Sequence, residues 1–246
     1  KTAFSGCSAL ETVTFENGAN PIFGKQAFEN CTSLKTITLP AGITEIPEKT
    51  FSGAGLTEIV LPDAVTTIGD RAFENCASLT KVTLPAKLSV IPSYMFYGSG
   101  ITEITLPETV HTIGSNAFGN CEALKTITLS EMITEISESA FSGSGLTEIT
   151  LPDSVRTIND CAFMNCKSLV NVTFGNGLCE IGRNAFDGCT KVKSVVIPSR
   201  VYSLKNAFNG WGEDQTITFA LKKSQAAKLF GTEWLSGCEA AIAYNG

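Results

Sequence analysis

Apolar and polar positions alternate with period two in short runs that recur along the chain. Thr36-Ile37-Thr38-Leu39, Glu58-Ile59-Val60-Leu61 and Thr126-Ile127-Thr128-Leu129 are three of them. Such alternation predicts a strand with one face in a core and the other in water. Pro40, Pro62, Pro85, Pro107, Pro152 and Pro198 follow these runs. Proline has no N–H to give to a ladder, so each strand is expected to stop there. A second short extended run comes next: Val65 to Ile68, Val110 to Ile113, Val155 to Ile158. The chain is then expected to make one tight helical turn before the next strand. From Leu56 to Phe73 the inward set is Leu56, Ile59, Leu61, Val65, Ile68, Ala72 and Phe73.

The phenylalanines count these units. Phe28, Phe73, Phe118, Phe163 and Phe208 stand 45 residues apart, and Phe51, Phe96, Phe141 and Phe186 mark the same interval between them. Self-similarity at about 22 to 23 residues means a solenoid, in which each coil buries its neighbour's apolar face. Two residues after each marker stands Gly6, Asn30, Gly53, Asn75, Gly98, Asn120, Gly143, Asn165, Gly188 or Gly210. Glycine and asparagine are the residues that tolerate positive φ, so the column predicts a left-handed residue closing the turn. Asp70, Ser93, Ser115 and Asp160, three residues before a marker, are placed to cap the amides of a short helix. Coils come in two lengths. The longer ones carry Cys7, Cys31, Cys76, Cys121, Cys166 or Cys189, and the shorter ones carry Gly55, Gly100 or Gly145. Their alternation produces the longer period.

The pattern from Leu56 to Leu79, repeated from Ile101 to Leu124, closely resembles the BspA-like leucine-rich repeat family, most specifically in its Ala-Phe-x-Asn-Cys turn. The resemblance covers residues 1–208, about nine coils of 22 to 24 residues. The expected fold is a leucine-rich repeat solenoid: a right-handed stack of β-strand plus short helical or 3-10 turn coils, with a curved parallel sheet and a C-terminal cap. Residues 209–246 leave the pattern and are taken as the capping segment, with Thr216 to Phe219 a last strand, Lys222 to Leu235 helix-like, and Ala240 to Tyr244 a final strand. Lys1 enters in mid-coil, at the helical turn, as expected of a trimmed piece. The family's members are mostly secreted or surface proteins of host-associated bacteria, and several are thought to be adhesins. The resemblance thus implies a secreted or cell-surface location and a protein or glycan partner, host extracellular matrix or surface proteins among them.

Charge and composition exclude other classes. A net charge of −6 argues against nucleic acid, whose usual footprint is a basic stripe. No run of about 18 apolar residues exists to span a membrane. Nine strands stacked at about 4.8 Å give a rod roughly 40 to 45 Å long before the cap. The nine cysteines do not read as a disulfide framework. Cys31, Cys76 and Cys121 fall in one column two coils apart, about 10 Å, too far to bridge, and are expected as buried thiols. Cys7 with Cys31, and Cys166 with Cys189, lie on adjacent coils, and their oxidation state stays open. With no C-x-x-C pair and a single histidine, His111, no zinc site and no cofactor is expected.

Outward strand positions form two columns. Thr36, Glu58, Lys81, Glu103, Thr126 and Glu148 make the first, continued by Thr12, Asn171 and Ser194; Thr38, Val60, Thr83, Thr105, Thr128 and Thr150 make the second, continued by Thr14, Thr173 and Val196. In curved solenoids the strand sheet lines the concave, customary binding side, so the twelve residues named first are the candidate ligand-binding set. Against that stands the plain fact that threonine suits an exposed pleat. Enzyme-like readings are weaker. Glu58 and Glu103, two coils apart, have the separation of an inverting glycosidase pair, but nothing desolvates them and Lys81 lies between. His111 stands beside threonines on the second run, and Asp63, Glu108 and Asp153 are too far apart to hold one calcium ion. Thr-x-Thr pairs that could order ice are interrupted by Glu58, Lys81, Glu103 and Glu148. The reading is a non-catalytic interaction or adhesion module, with a passive spacer presenting another domain as the alternative.

Overall fold

A computed structural model describes residues 3–16, 18–230, 234 and 236–245. The expected strands form, all parallel, and stack into two ladders. The first ladder holds eleven strands: Thr12–Val13, Thr36–Ile37, Glu58–Val60, Lys81–Thr83, Glu103–Thr105, Thr126–Thr128, Glu148–Thr150, Asn171–Thr173, Ser194–Ile197, Thr216–Phe219 and Ala241–Tyr244. The second holds seven two-residue strands, from Glu45–Ile46 to Glu180–Ile181. Those are shorter than the four-residue runs the sequence suggested: only Thr67–Ile68, Thr112–Ile113 and Thr157–Ile158 of them pair.

Strand pairing follows a two-coil beat. In the first ladder Glu58–Val60 pairs with Lys81–Thr83, Glu103–Thr105 with Thr126–Thr128, and Glu148–Thr150 with Asn171–Thr173. In the second, Glu45–Ile46 pairs with Thr67–Ile68 and Val90–Ile91 with Thr112–Ile113. Up to Glu135–Ile136, a coil joined to one neighbour through the first ladder is thus joined to the other through the second; farther on, Thr157–Ile158 pairs with both Glu135–Ile136 and Glu180–Ile181, and the last three strands of the first ladder pair in succession.

The closing turns explain why the beat is two coils. Each asparagine of that column reaches over the next coil, and a Cβ at Gly53, Gly98, Gly143 or Gly188 would collide with the side-chain oxygen of Asn30, Asn75, Asn120 or Asn165. An asparagine therefore requires glycine above it, and that glycine leaves room for the next asparagine. The second glycine of each short coil has a similar cause. Gly55, Gly100 and Gly145 lie against the carbonyl oxygens of Thr32, Ala77 and Glu122, and donate their N–H groups to the Cys31, Cys76 and Cys121 carbonyls at 3.1, 3.1 and 3.0 Å.

Columns of identical residues fill the core. The inward set from Leu56 to Phe73 is buried throughout. Ten rings from Phe4 to Phe208 stack in one file with centroids 5.2 to 5.7 Å apart. Parallel offset stacking at that distance adds to the area each ring buries.

The cysteine column has a hydrogen-bonding role that composition did not reveal. The thiols of Cys31, Cys76, Cys121, Cys166 and Cys189 donate to the backbone carbonyls of Phe4, Phe51, Phe96, Phe141 and Phe163, at 2.9 to 3.1 Å. At the equivalent position after Phe208 stands Trp211, whose indole N–H donates to the Phe186 carbonyl at 2.9 Å. All nine cysteines are free thiols, including both adjacent-coil pairs. Burial pushes the Cys76 thiol up to about 12 and Cys121 to about 11. In the unfolded chain these thiols ionise near 9, so the folded state holds their protons more tightly. The contribution of these two thiols should be constant below about pH 9 and be lost as pH rises toward 12. Urea melts at pH 8 and 10.5 check the sign, and native alkylation should label exposed Cys7 long before Cys76 or Cys121.

At the corner the structure departs from the expected helical turn. Consecutive turns form instead, such as Cys31 N–H to the Phe28 carbonyl at 3.3 Å. Marker N–H groups from Phe4 to Phe186 donate across to the next coil: Phe28 to Thr50 at 2.8 Å, Phe73 to Met95 at 2.9 Å, Phe118 to Ala140 at 2.8 Å. The corner is thus a third column of bonds between coils. Left-handed residues on both sides of the phenylalanine swing its peptide groups along the stack. One is the expected Gly/Asn column, with Asn75 at φ 55°. The other, two residues before the marker, went unnoticed because it carries mixed residues: Gln26, Lys49, Arg71, Tyr94, Asn116, Ser139, Cys161, Asn184 and Asn206, at φ 52° to 60°. Asp70 and Asp160 do accept backbone amides, but from the coil above, Ser93 at 3.1 Å and Arg183 at 2.8 Å, rather than from a helix of their own.

With Asn75 left-handed, Asn75→Gly should stay within about 0.5 kcal/mol of the parent. Asn75→Val, which puts a β-branched side chain at the same φ, should lose roughly 1 to 2 kcal/mol in denaturant melts.

After the repeats, Thr216–Phe219 and Ala241–Tyr244 continue the first ladder in parallel register. Between them runs the helix Lys223–Phe230. Residues 231–233 and 235 of the expected helix lie outside the described residues, as does Lys1. Phe219 gathers Phe230, Trp234 and Tyr244 around it at 5.2, 5.4 and 5.7 Å.

Candidate functional site

The period-two alternation that buries Ile59, Ile104 and Ile149 turns their neighbours outward. All twelve candidate residues, Thr36, Thr38, Glu58, Val60, Lys81, Thr83, Glu103, Thr105, Thr126, Thr128, Glu148 and Thr150, are exposed. They stand in the expected register: Glu58 beside Lys81, Val60 beside Thr83, Glu103 beside Thr126, Thr105 beside Thr128. Val60, 65 % exposed, is an apolar point among them. The ion pairs among the described residues are Lys25–Glu48, Lys193–Asp214 and Lys205–Glu180, so the charges of Glu58, Lys81, Glu103 and Glu148 are free to meet a ligand.

Two open hollows mark this face. The first, about 460 Å³, lies over Thr36, Thr38, Glu58, Val60, Lys81 and Thr83. The second, about 840 Å³, lies over Glu148, Thr150, Asn171, Thr173, Ser194 and Val196, with Lys193 and Arg200 at its margin. The twelve-residue set stops at Thr150, so it misses most of the second hollow. The column pattern itself pointed on through Asn171, Thr173, Ser194 and Val196. Lys193 and Arg200 occupy positions where the repeat gives no signal.

The other sequence candidates stay apart. His111 is exposed and its Nδ1 lies 3.0 Å from the Thr112 hydroxyl. Asp153 accepts the Asn176 backbone N–H at 2.7 Å, a bond to the next coil rather than within its own turn. Among the described residues no group of three or more His, Cys, Asp or Glu converges as a metal site, and no helix is long and apolar enough to cross a membrane.

A stack of parallel coils, each a short strand, a proline stop, a second strand and a phenylalanine corner, is the architecture of a leucine-rich repeat protein. The profile of the BspA type leucine rich repeat region matches residues 1–108 and 89–213, with 6 copies. The chain belongs to that family. Among solved structures it is similar to a leucine-rich repeat protein from Bacteroides ovatus, with 22% identity over 100% of this chain and 86% of that one, TM-score 0.56. It is also similar to a leucine rich cell surface protein from Faecalibacterium prausnitzii, with 26% identity over 99% of this chain and 75% of the other, TM-score 0.56. A T. pallidum leucine rich repeat protein matches at 29% identity over 61% of this chain and 72% of that chain, TM-score 0.56. No curated protein matches significantly.

Proposed function

We propose that the chain is a non-catalytic binding module, secreted or held at the cell surface, that engages a protein partner through the outward face of its first ladder. The observation that carries this reading is an in-register face with unpaired charges, two exposed valines (Val60 and Val196) and a hollow over each. The membership of the family and the cell-surface description of the Faecalibacterium prausnitzii protein support the location. Residues 209–246 act as the cap, with Trp211 packed edge-on against Phe208, the last marker, at 4.8 Å.

Because each coil offers two outward strand side chains, recognition is spread over several coils; a specific interface takes about 800 Å² per partner. Changing Glu58, Glu103 and Glu148 together to Lys reverses the charge of one column and leaves every core residue in place. With a partner captured from host extracellular matrix, the triple variant should associate more slowly, dissociate faster and show altered salt dependence while melting like the parent. Full affinity in the triple variant would move binding off this face, and capture of nothing by the parent would favour the spacer.

A further inference from the structure

One corner of the solenoid carries chemistry that the repeat does not call for. In the left-handed column before the markers, Tyr94 is the only aromatic residue, at φ 57°. The conformation is that of the whole column; the bulky ring placed on it is what sets this coil apart. Three residues on, Tyr97 begins the other side of the turn, its ring centroid 5.5 Å from that of Tyr94 and tilted by 52°. Both rings are partly exposed.

Neighbouring coils hold the pair in place. The Arg71 guanidinium lies 4.4 Å from the centre of the Tyr94 ring. Tyr97 lies over Gly119, where an added Cβ would come within 2.9 Å of its Cδ2. Asn120 Nδ2 donates to the Tyr97 hydroxyl at 2.7 Å, leaving the phenolic proton free to donate outward. Two fixed, inclined rings with amides beside them form a built surface rather than two loose side chains.

The surroundings state what would fit. The exposed large hydrophobics of the middle coils, Val60, Val90, Met132, Val170 and Val196, all lie elsewhere, so the corner lacks the apolar area of a protein interface. The polar groups fixed beside the rings are the Asn120 amide and the Asp70 carboxylate, which accepts the backbone N–H of Ser93, next to Tyr94, at 3.1 Å. Arg71 is occupied with Tyr94 and Asp70 precedes it in the chain, so no spare positive charge awaits an acidic ligand. A pyranose with equatorial hydroxyls has complementary chemistry: a flat C–H face for the electron-rich ring faces, and a rim of hydroxyls for amides, carboxylate and phenol. We propose that this corner is a carbohydrate site, taking one ring of a neutral β-linked hexose chain against Tyr94 and Tyr97. It is independent of the strand face.

The repeat supplies variants that keep the fold. Asn occupies the Tyr94 position at Asn116, Asn184 and Asn206, and Ser occupies the Tyr97 position at Ser52 and Ser142. Cellohexaose is titrated by calorimetry into the parent, Tyr94→Asn, Tyr97→Ser and the Glu58/Glu103/Glu148 triple variant, with melting curves for each. The expected result is binding by the parent and the triple variant, about tenfold weaker in either tyrosine variant, or about 1.4 kcal/mol, with melting preserved. No binding of cellohexaose by the parent, equal binding by the tyrosine variants, or loss confined to the triple variant would overturn the proposal.

Discussion

Phe118→Ala should lower the free energy of unfolding by about 3 to 5 kcal/mol, the cost of deleting a fully buried aromatic from a core that cannot close around the gap. Phe118 has no exposed surface and its ring stacks on Phe96 at 5.5 Å and Phe141 at 5.3 Å. Collapse into the gap is blocked because the backbone on each side is pinned by hydrogen bonds to the adjacent coils, Phe96 N–H to Ala117 and Phe118 N–H to Ala140. The control is Thr128→Ala, on an exposed outward position, which should cost under about 1 kcal/mol. Denaturant melts of the two variants should therefore differ severalfold in the loss of stability.

Gly145→Ala should be nearly as damaging through the opposite fault. The added methyl would be driven into the Glu122 carbonyl oxygen of the coil below, and backbone, unlike a side-chain tip, cannot swing aside. Relief requires lifting the short coil, which breaks the Gly145 N–H bond to the Cys121 carbonyl at 3.0 Å. About 3 kcal/mol or more is expected, at the upper end of the range for overpacking. Gly212→Ala, where the nearest atom would be at an ordinary 3.6 Å, serves as the matched control.

These two residues also mark how much of the molecule was legible in the sequence. Phe118 announces itself, because a side chain buried against its own copies must recur at a fixed interval, and the same logic exposed the strands, the proline stops and the outward columns. Gly145 was legible only as part of a spacing. That its neighbour is a carbonyl one coil below, or that Asn120 forbids a side chain at Gly143, depends on distances between coils that a linear pattern does not contain. The corner shows the limit most clearly. Its second left-handed column hides behind Gln26, Arg71 and Tyr94, residues with no conformational signature, so a helical turn was the natural expectation. Cys31, Cys76 and Cys121 were rightly placed inside, but their bonds to phenylalanine carbonyls, and the substitution of Trp211 for a thiol in that role, depend on contacts between coils. The candidate site was legible as a face, since alternation fixes which side chains point outward. Its hollows were not, because they arise from side-chain length and from Lys193 and Arg200, which the repeat does not govern.

The central claim is that the repeat columns hold the fold while the outward face of the first ladder holds the partner. Carboxyl footprinting of the chain, alone and with its captured partner, tests it most directly, since the solenoid carries glutamates on the strand face and away from it. Partner binding should protect Glu58, Glu103 and Glu148 from carbodiimide labelling and leave exposed Glu122 and Glu131 unchanged. Protection of Glu122 or Glu131 with undiminished labelling of the three strand glutamates would contradict the account.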